Sequence, residues 1–150
     1  MRKYKFLIDN DSQAAVRFFP EKRVVSLARA ELETSATDAE VVNMAWELEC
    51  IIVTANGQDF EKEIKKFLQT TQRDDSHDLF GLVVIPNAAA AQERVLPCLG
   101  ARLRYAGKSI TWDDVWHKNY LVRVHSNSTV EVRELGRCFY CRKIEKEESH

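Results

Sequence analysis

The feature that most constrains this chain is an alternation of short apolar runs with helix-patterned stretches over residues 4–104. Residues 5–9, Lys-Phe-Leu-Ile-Asp, read as a buried strand that ends on an acid. Residues 12–19 place Ala15, Val16 and Phe19 at helical spacing and stop at Pro20. Residues 23–28, with Val24, Val25 and Leu27, read as a second short strand. Thr37 or Asp38 then caps a helix whose Val41, Val42, Ala45, Trp46 and Leu48 share one face, and Glu40 stands where a capping box needs it. Residues 50–54 are a continuous β-branched run, as in strands covered on both faces. After the Asn56-Gly57 turn, residues 59–68 carry Phe60, Ile64, Phe67 and Leu68 at helical spacing. A fourth strand at 81–85 ends at Pro86, and a fourth helix at 88–103 is expected to bend near Pro97. Such β-α repetition specifies a mostly parallel sheet, because parallel neighbours need crossovers that lay helices on the faces.

Beyond residue 104 the pattern changes. Residues 120–125 and 129–135 alternate with period two around Asn127-Ser128, a hairpin signal. The expectation is a single three-layer α/β domain over 1–150, with a core at about 4–104 and an antiparallel hairpin extension at about 105–142. Residues 72–78 read as a polar loop and 143–150 as a charged tail.

With 150 residues and 45% apolar composition, one domain is long enough to bury a core. No apolar run approaches the ~20 residues of a membrane span, and the apolar stretch after the basic start stops at Asp9, too soon for a signal peptide. A cytoplasmic location without membrane association is expected. The net charge of −1 gives no global field that gathers nucleic acid. Arg102, Arg104 and Lys108 form a local basic group that reads first as a solvated helix end. Cys50 and Cys98 are expected to be buried thiols, and the Cys138/Cys141 pair lacks a second half for zinc. Trp46 belongs to a helical core face. Trp112 and Trp116, four apart, suit packing of a short helix or a homodimer contact better than base stacking. His77, His117 and His125 show no partner spacing. No GxGxxG or GxxxxGK[ST] is present.

In an open α/β sheet, ligands bind beyond the carboxyl ends of the strands where strand order reverses. Asp9 and Asp11 follow the first strand, Asp38 and Glu40 begin the second helix, and Thr54, Asn56 and Asp59 follow the third strand. If the first and third strands are neighbours, these groups converge. Gathered carboxylates repel one another and raise each other's pKa unless a cation joins them. Hard oxygen donors suit Mg²⁺ or Mn²⁺, which activate water and stabilise charge on phosphoryl oxygen. Taken singly, each acid is an ordinary helix cap.

Residues 6–9 (Phe-Leu-Ile-Asp), 36–45 (Ala-Thr-Asp-Ala-Glu-Val-Val-Asn-Met-Ala) and 51–60 (Ile-Ile-Val-Thr-Ala-Asn-Gly-Gln-Asp-Phe) together resemble the short PIN-like domains in order and spacing. The resemblance covers roughly residues 4–90. It implies a metal-dependent ribonuclease, often the toxin of a bacterial toxin–antitoxin pair, so RNA and an antitoxin are the implied partners. Asp9 matches the first metal ligand, Asp38 the helix-start acid with Glu40 as second choice, Asp59 the acid before phenylalanine, and Thr54 the strand-end threonine. Asn56 departs from the pattern, because many members carry an acid near this point; asparagine offers one neutral oxygen. One alternative is a metal-less PIN-like scaffold that binds RNA or protein. Another is similarity to haloacid-dehalogenase-like phosphatases, with Asp9 as nucleophile, Asp11 as acid, and Lys108 with Asp113 and Asp114 completing the set; Ser12 and Gln13 depart from that motif.

Overall fold

A computed structural model describes residues 4–27, 30, 32, 36–70 and 79–135. Six strands form one sheet in the order β2-β1-β3-β4-β7-β8. The strands are β1 (Phe6–Ile8), β2 (Val24–Val25), β3 (Ile51–Thr54), β4 (Leu82–Val84), β7 (Tyr120–Val124) and β8 (Val130–Glu134); β5 (Arg104–Tyr105) and β6 (Lys108–Ser109) make a separate antiparallel ribbon. All neighbours in the large sheet run parallel except β7 and β8. Between β1 and β3, Leu7 lies opposite Ile52 and Ile8 opposite Val53.

Helices cover both faces of this sheet, and strand alternation assigns the side chains. Leu7, Ile52, Leu82, Val84 and Leu121 pack beneath α1 (Asp38–Leu48) and α2 (Gly57–Thr70), against Val42, Ala45, Phe60 and Ile64. Phe6, Ile8, Ile51, Val53, Val83 and Val122 face the other way, toward Ala15, α3 (Ala89–Val95) and α4 (Trp112–Lys118). Most of these side chains are fully buried; truncating one such leucine to alanine costs about 2–5 kcal/mol. The expected capping box forms, with Thr37 Oγ1 accepting from Glu40 N and the Glu40 carboxylate accepting from Thr37 N.

Several expectations change. The segment after β1 is a 3-10 helix, Asn10–Phe18, whose buried Ser12 and Ala15 are three apart, the spacing that such a helix aligns on one face. Strand β2 is confined to two residues. The helix expected over 88–103 stops at Val95; Pro97 has no N–H to continue the ladder, Cys98 adopts a left-handed conformation (φ 58°), and a short 3-10 helix, Leu99–Arg102, follows. Cys98 is exposed, not buried, whereas Cys50 is buried.

The largest difference is in β7, which the sequence pattern makes one arm of an appended antiparallel edge. In the fold it pairs in parallel with β4, Val83 opposite Val122, and only β8 is the antiparallel edge strand. Tyr120, Leu121, Val122 and Val124 are all buried, so both faces of β7 are covered and it is part of the central sheet. Gly81 makes the entry to β4 possible: its φ is +110° and a Cβ there would meet Val115 Cγ1 at 2.9 Å and Val115 O at 3.1 Å. Among the described residues no helix is long and apolar enough to cross a membrane. Cys138, Cys141, His77 and the segments 72–78 and 143–150 lie outside the described residues.

Candidate functional site

Strand β1 sits between β2 and β3, so strand order reverses there and the carboxyl ends of β1 and β3 open side by side. Asp9 follows β1, and its N–H is held by Val53 O at 2.9 Å. Its carboxylate lies by the backbone N–H groups of Asn10 and Asp11 at the start of the 3-10 helix. Thr54 Oγ1, fully buried at the end of β3, also donates to Asp9 Oδ2 at 3.1 Å. The same hydroxyl accepts from Asn56 N at 2.9 Å, and Ser12 Oγ accepts from Ala55 N at 2.9 Å. The loop after β3 is therefore tied to Asp9 and to the start of the 3-10 helix by two buried hydroxyls.

Burial pushes the Asp9 carboxyl above its ordinary value; the Thr54 hydroxyl pulls it back, the charge of Asp11 raises it further, and the N–H dipoles of Asn10 and Asp11 lower it. Asp38, the first residue of α1, is also raised, first by desolvation and then by the charges of Asp9, Asp59, Glu63 and Asp11. Acids that follow β1 and β3 thus act together on a carboxylate that opens α1.

Asp59, in the first turn of α2, accepts from Asn56 Nδ2 at 2.9 Å. The asparagine amide supplies a donor to the carboxylate that an aspartate at 56 would repel. Glu40 is drawn away from the group, since its carboxylate closes the capping box with Thr37. Sequence reasoning misses Glu63 and Ser12 as members of this site. Glu63 lies one helical turn beyond Asp59, and that i, i+4 spacing on the helix following β3 is the available signal. Ser12 has none, because its partner is a backbone N–H.

The donor chemistry fits a hard divalent cation. The spacing fits less well: among the described residues no three His, Cys, Asp or Glu side chains already converge as a metal-holding group. A cation would have to draw Asp9, Asp38 and Asp59 closer together.

Of the residues of the phosphatase alternative, Asp114 is engaged elsewhere. Asp114 closes a second capping box with Thr111 at the start of α4. Its charge acts on the hydroxyl of Tyr120, which opens β7 at the amino edge of the sheet, across from Asp9. Trp112 packs edge-on against Phe6 with ring centroids 5.0 Å apart, and Trp116 is buried with its Nε1 donating to Glu49 O at 2.8 Å. Both are packing residues. His125 Nε2 lies 3.4 Å from Glu131 on the edge strand.

The chain matches no family model, no curated protein and no solved structure closely enough to carry an assignment.

Proposed function

We propose that this protein is a metal-dependent ribonuclease of the PIN-like type. The observation that carries the reading is the electrostatic convergence on Asp38 of Asp9, Asp59, Glu63 and Asp11 at the strand-order reversal. Neighbouring charges that raise the proton affinity of Asp38, and of Asp9 beside Asp11, are unfavourable without a cation, and a shared cation removes the penalty. A structural role asks for no such gathering. The mostly parallel sheet, with β1 flanked by β2 and β3, supports the PIN-like assignment of the fold.

In this reading Asp9, Asp38 and Asp59 would hold one or two Mg²⁺ or Mn²⁺ ions, with Asn56 as a neutral oxygen donor. The bound cation supplies a lowered water pKa and charge stabilisation at the scissile phosphate. The protein's own contribution is placement. Thr54 holds Asp9 by a hydrogen bond and fixes the loop that carries Asn56. Ser12 anchors the opposite wall through Ala55. Asp11, exposed at the first turn of the 3-10 helix, adds its charge to Asp9 and Asp38 and is the secondary candidate of the site.

A second reading, a metal-less scaffold, has one observation in its favour: Asn56 already satisfies an oxygen of Asp59. Incubation of a mixed-sequence single-stranded RNA with the wild type, Asp9→Asn and Asn56→Asp, each with Mn²⁺ or chelator, separates the two. The nuclease reading expects Mn²⁺-dependent cleavage that Asp9→Asn abolishes. Inert wild type, with Asn56→Asp also inert, favours the scaffold.

A further inference from the structure

Residues 86–112 are basic in a chain of net charge −1: Arg94, Arg102, Arg104 and Lys108 stand against Glu93 alone. Two of these arginines close on a single turn. Arg94 Nη2 donates to Ser126 O at 2.8 Å, and Arg102 donates to Ser128 O and Val95 O. Three other arginines pair with carboxylates, Arg17 with Glu93 and both Arg123 and Arg133 with Glu61, while Arg23 donates to Tyr4 O and lies over the Tyr4 ring. Arg94 and Arg102 have backbone carbonyls as partners and no carboxylate among the described residues. A carbonyl fixes a guanidinium without cancelling its charge.

The turn they brace, 125–129, joins β7 to β8. Because β7 is parallel to β1 through β4 and β3, the turn lies on the same carboxyl edge as Asp9. At about 4.8 Å per strand step, the separation is roughly 15 Å. Ser126, Asn127 and Ser128 are exposed at its tip and add neutral donors to the two fixed charges. Guanidinium, hydroxyl and amide donors together are the groups that contact phosphate oxygens in nucleic-acid interfaces.

We propose that Arg94, Arg102 and the 126–128 tip form a subsite for the phosphate backbone of a single-stranded nucleic acid, a few nucleotides from the strand segment at Asp9. The proposal rests on the nuclease reading for its substrate class, yet it is separable by experiment. The acid cluster repels a polyanion, so a basic contact on the same edge supplies the attraction that the net charge does not.

The test is fluorescence anisotropy of a labelled mixed-sequence single-stranded RNA in chelator, where no cleavage occurs. Arg94→Gln and Arg102→Gln should each weaken binding several-fold at about 0.1 M salt, and the slope of log affinity against log salt should become shallower by about 0.7 for each phosphate no longer neutralised. Arg94→Lys and Arg102→Lys should keep the slope. Asn127→Asp retains an acceptor for Thr129 N and leaves both arginines in place, so it should weaken binding without disturbing the turn, even if the glutamine variants fold poorly. Unchanged affinity in Asn127→Asp, or an unchanged slope in the folded double glutamine variant, overturns the subsite. Equal, arginine-dependent binding of poly-glutamate reassigns the patch to an acidic protein and also overturns it. Arginine-dependent RNA binding by a wild type that cleaves nothing in Mn²⁺ upholds the subsite while the nuclease reading fails.

Discussion

The hydroxyl of Thr54 donates to Asp9 at 3.1 Å and at the same time accepts the N–H of Asn56 at 2.9 Å. One buried oxygen therefore joins the ends of β1 and β3. Thr54→Val keeps the shape and removes both bonds, leaving a loop N–H unpaired and Asp9 without its donor. The expected cost is about 1–3 kcal/mol, read by urea denaturation. Thr54→Ser should recover most of it. Equal stability of the valine and serine variants would show that the hydroxyl carries no weight.

Asp9→Asn should stabilise the metal-free protein at neutral pH. The Asp9 carboxyl is raised above 3.8 in the fold, chiefly by burial, so the folded state binds its proton more tightly than the unfolded chain does. Stability is lost as pH rises from the unfolded value through the raised one, and the penalty is fully present above both. Asparagine never ionises and keeps an acceptor for Thr54. The difference in Tm between variant and wild type in chelator should be small near pH 3.5 and grow to a few degrees by pH 7. A difference that does not change with pH contradicts this.

Asn56→Asp exchanges a donor to Asp59 for a like charge. Without metal the variant should be less stable, by on the order of 1 kcal/mol. With Mn²⁺ its Tm should rise further than that of the wild type, since affinity for a hard cation follows ligand charge. Differential scanning fluorimetry across a Mn²⁺ titration reads both effects. Identical Mn²⁺ responses in the two proteins would place residue 56 outside any cation site.

Gly57→Ala tests how closely the start of α2 approaches the sheet. A Cβ at Gly57 would lie 2.7 Å from Val84 Cγ1 and 3.0 Å from Cγ2, and buried, β-branched Val84 has little freedom to retreat. Overpacking of this kind costs about 1–3 kcal/mol. Adding Val84→Ala should recover part of the loss, measured as a double-mutant cycle. A neutral Gly57→Ala would mean that the helix start yields easily, and that Asp59 is less firmly placed than its neighbours suggest.

Legibility in the sequence follows how local each determinant is. Strands β1, β3 and β4 are visible because a strand covered on both faces must be almost wholly apolar, as Phe6–Ile8 is and as β3 is up to Thr54. The Thr37/Glu40 box is visible because both partners lie within one helical turn. The side-by-side ends of β1 and β3 are legible only conditionally, since sheet order is a non-local property. The pattern misplaces β7 because Tyr120–Val124 is an apolar run in which Arg123 alone creates the look of alternation, and that residue finds Glu61 of α2 at 2.9 Å, a partner far away in sequence. Ser12 escapes notice for the same reason: its role is an oxygen aimed at a backbone N–H beyond another strand.

The insertion of β7 beside β4 also governs the order in which the chain can be completed. Until residues 120–124 have been synthesised, β4 presents one row of N–H and C=O groups with no strand to receive them, flanked by the apolar Leu82 and Val83. A nascent or truncated chain ending near residue 104 therefore carries an open, hydrophobic sheet edge of the kind that recruits other chains. Closing it requires β5, β6 and α4 to pass first, a long loop to draw in before any pairing rewards it. The last third of the sequence acts as the cover for the first two, and ribosome-bound intermediates of this protein should depend on chaperones until it emerges.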